Sequence, residues 1–217
     1  MPSAADTPTP QPFRGRIAGV GSTSGIRVVV GRWHDTPLGP FGDAMVETPD
    51  GHRVLLAPHR EAADFIAATY RFDEVRLEPF DIADPWRVRS PSLTLDVVVG
   101  RRTLLGTALR CVPTPIAVSA PWSLLTDLVA RAAVPGVRTR GSAGNGRRER
   151  YGATDNHRID AISGSFDGVD LGAMSAVDPP PRFGFSSTPR SPSVTALVTT
   201  IDLAREVSTR RRSGQTR

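Results

Sequence analysis

From Ile26 onward, short apolar runs alternate with turn residues, and this pattern sets the reading of the fold. Arg27-Val28-Val29-Val30 is a compact apolar run. Asp43 to Glu47 leads into Thr48-Pro49-Asp50-Gly51, and His52 to Ala57 returns. Asp-Gly between two apolar runs is a strong local signal for a β-hairpin. After Pro58 the period changes. Ala62, Phe65, Ile66 and Thr69 fall on one face of a helix running to Tyr70, with Glu61 and Asp64 near its positive end. Val75 to Phe80 and Leu93 to Val99 read as strands, and Gly100-Arg101-Arg102 turns the second into a returning segment, Thr103 to Cys111. A second helix is expected from Pro121 to Ala133. Ser119 caps it, Trp122, Leu125, Val129 and Ala132 share its face, and Pro135-Gly136 stops it. Strands follow at Arg158–Ile162, Val169–Ala173 and Ser193–Ile201.

Many short strands with two principal helices predict a mostly β (α+β) domain, a closed antiparallel sheet with helices packed on it. The spacing does not fit alternating βαβ units. This single domain spans 14–202. Residues 1–13 are small, polar and Pro-rich and read as a disordered tail, and residues 203–217 read as a basic disordered tail.

Composition narrows the chemistry. All 27 basic residues are arginine, and no lysine occurs. Schiff-base catalysis on a side-chain amine and a phosphate-loop lysine are therefore excluded. Arginine suits the holding of carboxylates and phosphates. The net charge of +5 is unevenly placed: residues 203–217 hold five arginines against Glu206, and residues 138–150 hold five against Glu149. The rest of the chain is net acidic. With no basic face and no helix-turn-helix or zinc-finger spacing, nucleic acid is not the expected partner. No apolar run approaches the length of a membrane span, and the N-terminus lacks the apolar core of a secretory signal. The lone Cys111 excludes an intrachain disulfide, fits a cytoplasmic location and reads as a buried structural thiol. His34, His52, His59 and His157 lack metal-ligand spacing, so neither a metal nor a cofactor is expected.

Three segments carry candidate chemistry. In Gly31 to Asp43, Trp33 ends one strand, and Asp43 and Glu47 share a face of the next with Met45. That face is either solvated or a pocket. In Arg138 to Gly152, glycines let backbone N–H groups converge on an anion, and Arg140, Arg147 and Arg148 add charge. A solvated basic loop is the competing reading. Tyr151 and His157 follow in a polar and aromatic set. In Pro179 to Arg190, Phe183-Gly184-Phe185 reads as core packing or a close backbone approach, and Arg182 and Arg190 are placed to face the same anion.

Gly39-Pro40-Phe41-Gly42-Asp43 resembles a strand start of the acetoacetate decarboxylase-like superfamily. The resemblance implies a closed β fold with flanking helices around a pocket, with Asp43 at the pocket's acid position. That family's decarboxylases use a lysine, which this chain lacks, so the resemblance is to a non-decarboxylating branch. The chain also resembles actinobacterial proteins of no assigned activity that carry the Arg138-Thr139-Arg140-Gly141-Ser142-Ala143-Gly144 and Phe183-Gly184-Phe185 motifs.

The expected function is binding of a small anionic molecule, a carboxylate or phosphate, in an internal cavity. Arg140, Arg147, Arg148 and Arg182 would hold the anion, and Trp33 and Tyr151 would line the wall. The alternative is an enzyme performing non-covalent acid–base chemistry (enolisation, dehydration or hydrolysis) through Asp43, Glu47 and His157. It predicts a perturbed pKa among those three inside a pocket. A third reading is an interaction protein using its Arg-rich tail. The sequence leaves catalysis and oligomeric state open.

Overall fold

The computed structural model describes residues 11–112, 140–142, 148–184 and 188–202. Among them, thirteen strands form one sheet. The N-terminal half holds β1 (Gln11–Ser22), β2 (Arg27–Asp35), β3 (Phe41–Glu47), β4 (Arg53–Ala57), helix α1 (Arg60–Ala67) and β5 (Glu74–Leu77). Then come β6 (Asp81–Ala83), β7 (Arg87–Arg89), β8 (Leu93–Arg102), helix α2 (Leu104–Arg110) and β9 (Arg140–Ser142). The 19-residue β10 (Arg148–Phe166), β11 (Val169–Asp170), β12 (Met174–Ser175) and β13 (Ser193–Asp202) complete the set. The sheet order is β5-β4-β3-β2-β1-β13-β10-β8-β7-β6.

The sheet curls into a half-barrel. Val28 and Val30 of β2, Ala44 and Val46 of β3, Leu56 of β4, Val88 of β7, Leu95 of β8 and Ile159 of β10 meet in one buried core. Side chains two apart on a strand share a face, so these residues define the concave side. Trp86, Leu56, Leu93 and Leu95 are almost fully buried, and each such burial stabilises by roughly 1.5–3 kcal/mol. The alternate residues face outward. Leu55 and Ala57 of β4, with Met45 of β3, form a second cluster under Ala63 and Ile66 of α1.

The closed antiparallel barrel expected from the pattern is corrected in two respects. β4 and β5 run parallel, because α1 carries the chain from one to the other as a crossover. The edge strands β5 and β6 do not pair in the sheet order, although only Glu78–Phe80 separates them in sequence. Side chains bridge the region instead. Arg76 donates to Asp167 at 2.7 Å and to Ser92 at 3.0 Å, and its guanidinium lies 5.6 Å from the Phe166 ring centre.

Local expectations fared unevenly. The hairpin through Asp50-Gly51, the helix after Pro58 and the strand beginning at Ser193 are present. Thr103 to Cys111 is a helical segment rather than a returning strand: Thr103 caps α2 by accepting the Gly106 N–H at 3.0 Å. β1 begins inside the expected N-terminal tail, and Phe13 is buried. Cys111 is exposed, not a buried thiol. The helix expected at 121–133 and the tail 203–217 lie outside the described residues. No helix among the described residues is long and apolar enough to cross a membrane.

Candidate functional site

The two faces of the curled sheet carry two different cavities. The first opens at one end of the concave face, where the inner strips change from apolar to charged. On β1, Arg16 continues the line of Ala18 and Val20. On β10, His157 and Asp155 continue the line of Ile159. Trp86, Val99, Val194 and Ala196 supply the apolar part, and Asp84 and Pro85 close one side. The cavity volume is about 520 Å³, within the range of small-molecule sites. Register fixes the spacing: Arg16 pairs with Ala196, which pairs with Asp155. Two strand steps put their backbones roughly 10 Å apart.

Each acid here has its own arginine. Arg32 donates to Asp84 at 2.6 Å, which with the nearby Arg16 charge holds Asp84 below the usual carboxylate range. Burial pushes Asp155 up, but Arg102, at 2.8 Å and 3.1 Å, and the Asn156 N–H outweigh it and leave Asp155 low. Arg16 sits directly across from Arg32 on the β1–β2 ladder, two like charges side by side. Arg32 is neutralised by Asp84, whereas Arg16 has no salt bridge among the described residues. His157 Nδ1 lies 3.2 Å from the Gly100 carbonyl, which only accepts, so that nitrogen carries a proton. Its Nε2 faces Asp155 Oδ2 at 3.5 Å.

The second cavity lies on the convex face beneath α1 and measures about 50 Å³. Trp33, Asp43 and Phe41 meet here with Phe65, Ile66 and Tyr70 of the helix segment, and Phe13 and Thr199 lie farther along. Trp33 Nε1 donates to Asp43 Oδ1 at 2.7 Å. Burial drives the Asp43 carboxyl up to about 7, against the opposing pull of that hydrogen bond. Glycine makes the pair possible: a Cβ on Gly31 would lie 2.4 Å from Asp43 Oδ1 and 2.5 Å from Trp33 Nε1. Gly31→Ala is therefore expected to push the indole off the carboxyl and destabilise the fold by about 1–3 kcal/mol. Urea unfolding and the Trp33 indole N–H resonance check this, and an unshifted resonance would contradict it.

Of the residues singled out in the sequence, Trp33 and Asp43 come together, while His157 lies in the concave cavity. Glu47 shares the convex face with Asp43 and Met45, but it is fully buried and already paired. Arg27 Nη2 donates to it at 3.1 Å, Arg182 Nε at 2.9 Å and the Arg182 N–H at 2.5 Å. Glu47 and Arg182 are thus bound to each other, with Glu47 buried and the Arg182 side chain still exposed. Arg140, Arg148 and Tyr151 lie in paired strands β9 and β10, and Arg147 lies outside the described residues. Sequence reasoning missed Arg16 and Asp84, and it placed Asp155 only in the polar set around Tyr151 and His157, without a site role. The one available signal was the alternation of Phe13, Gly15 and Ile17 with Arg14 and Arg16. Among the described residues no group of three or more His, Cys, Asp or Glu is placed to hold a metal. Comparison with protein-family models, with curated proteins and with solved structures finds no match for the chain.

Proposed function

We propose that the protein binds a small anionic molecule, a carboxylate or phosphate, in the concave cavity, with Arg16 as its anchor. The supporting observation is Arg16 itself: an exposed cation at the cavity beside a second arginine, with the lining acids Asp84 and Asp155 already held by Arg32 and Arg102. An anion is the group that relieves this. The apolar walls from Trp86, Val99 and Val194 suit a short hydrocarbon body. The reading keeps the non-decarboxylating branch of the acetoacetate decarboxylase-like resemblance, since no lysine enters it.

Calorimetric titration of the full chain with inorganic phosphate, acetate and pyruvate tests it. At least one is expected to bind, and Arg16→Ala is expected to weaken that binding about 10- to 100-fold, the worth of one charge-assisted hydrogen bond. Unchanged affinity in Arg16→Ala would overturn the reading.

Acid–base catalysis at this cavity is the second reading, favoured by the His157–Asp155 pair. With Nδ1 held by Gly100, Nε2 is the ring nitrogen left for proton transfer, and Asp155 beside it would stabilise the imidazolium. His157→Gln would then abolish turnover of a bound carbonyl acid while leaving its affinity within about threefold.

A further inference from the structure

The anion reading leaves the cavity beneath α1 unused, and that cavity has the opposite polarity. The Asp43 carboxyl is its one acidic side chain among the described lining residues, with Tyr70 the other titratable one. Trp33 holds Oδ1, while Oδ2 has no hydrogen-bond partner among the described residues. Asp43 is 4% exposed and has no salt bridge among the described residues, so its carboxyl sits buried at the floor. The half-buried rings of Trp33, Phe41, Phe65 and Tyr70 form the walls, with Trp33 and Phe41 6.4 Å apart between centroids. Three strands away, Thr199 Oγ1 is buried in the same cavity with no partner among the described residues. Aromatic faces attract cations, most strongly where water is excluded. A hard metal ion needs several oxygen ligands, which these walls do not offer.

We propose that this cavity takes the ammonium head of a small primary amine, with Asp43 as counter-ion and the Trp33 and Phe41 rings as walls. One ammonium N–H donates to Asp43 Oδ2, and the charge lies against the rings. The apolar tail runs under Phe65 and Ile66 of α1. About 50 Å³ admits only a few non-hydrogen atoms, so a three-carbon chain is near the limit. This site is independent of the concave one and has the opposite charge preference.

The test is an NMR titration of the full chain with n-propylammonium chloride, beside 1-propanol and sodium propionate as neutral and anionic isosteres at matched ionic strength. Propylammonium is expected to shift the Trp33 indole N–H saturably, with 1-propanol at least about tenfold weaker and propionate without effect. Asp43→Asn, whose amide oxygen still accepts from Trp33, is expected to keep its circular dichroism and lose the propylammonium response at least about tenfold. A Trp33 resonance unmoved by propylammonium would overturn the proposal. So would equal response to 1-propanol, or a response that survives Asp43→Asn.

Discussion

Replacing Glu47 by glutamine is expected to cost the fold about 3–5 kcal/mol, a large part of the roughly 5–15 kcal/mol that stabilises a typical domain. The carboxylate is fully buried, and its partner Arg27 is 8% exposed at the side chain. Removing the negative charge leaves the Arg27 guanidinium buried without a counter-charge, held only by neutral acceptors, the glutamine oxygen and the Pro179 carbonyl at 2.9 Å. The change also weakens the acceptor that holds the Arg182 N–H. That contact anchors the Pro179–Phe183 segment to the sheet, where Phe183 accepts the Arg71 N–H and its ring lies 5.8 Å from Phe72. Desolvating two charges is itself expensive. The double variant Arg27→Met with Glu47→Leu is therefore expected to recover most of the loss. Chemical denaturation of the three proteins measures this. A double variant as unstable as Glu47→Gln would mean that the ion pair itself, not the orphaned charge, carries the stability.

Asp43→Asn is expected to act in the opposite direction. The folded-state pKa of Asp43 stands at about 7 against an ordinary 3.8, because burial disfavours the charged form. Between those two values the folded protein holds a proton that the unfolded chain has released. Stability from this group is thus full below about pH 4 and is lost as pH rises toward 7. At pH 8 the folded wild type carries a buried, unpaired carboxylate. Asparagine keeps the oxygen that accepts from Trp33 Nε1 and removes the charge. Its advantage at pH 8 is on the order of 3–4 kcal/mol, fading toward pH 4. Urea midpoints of both proteins from pH 4 to 8 give the difference directly. Other titrating groups are common to the pair and cancel. A variant less stable than wild type at pH 8 would show that the carboxylate is neutralised in the folded state.

Much of the sheet was legible because its strands keep the period of two. Val28 and Val30, then Ala44 and Val46, then Val54 and Leu56 point inward on three successive strands. The same period placed Asp43, Met45 and Glu47 on one face, and Trp33 beside Asp43 follows from the two strand ends meeting. β1 was hidden by its glycines, which usually weaken a strand. Here Trp33 lies over Gly15 and Thr188 over Gly19, so the missing side chains make room for neighbours. β10 was read only at 158–162, because Thr154 to Arg158 is a polar run and register shifts on both neighbours break the alternation. The concave cavity was lost with them. Arg16, the Asp84–Trp86 turn and Asp155 come from three such segments, and only strand order brings them together. Glu47 and Asp43 look alike in sequence. Their roles differ because the cross-strand partner of Glu47 is Arg27, whereas that of Asp43 is Gly31.

The most direct measurement is a backbone and indole NMR map of the full chain titrated with the tightest-binding of phosphate, acetate and pyruvate. Shifts are expected at Arg16, Trp86, His157 and Ala196, around the concave cavity, and they should vanish in Arg16→Ala. Shifts clustered in the arginine-rich 138–150 segment or the 203–217 tail, with Arg16 and Trp86 unmoved, would contradict a binding site at the mouth of the half-barrel.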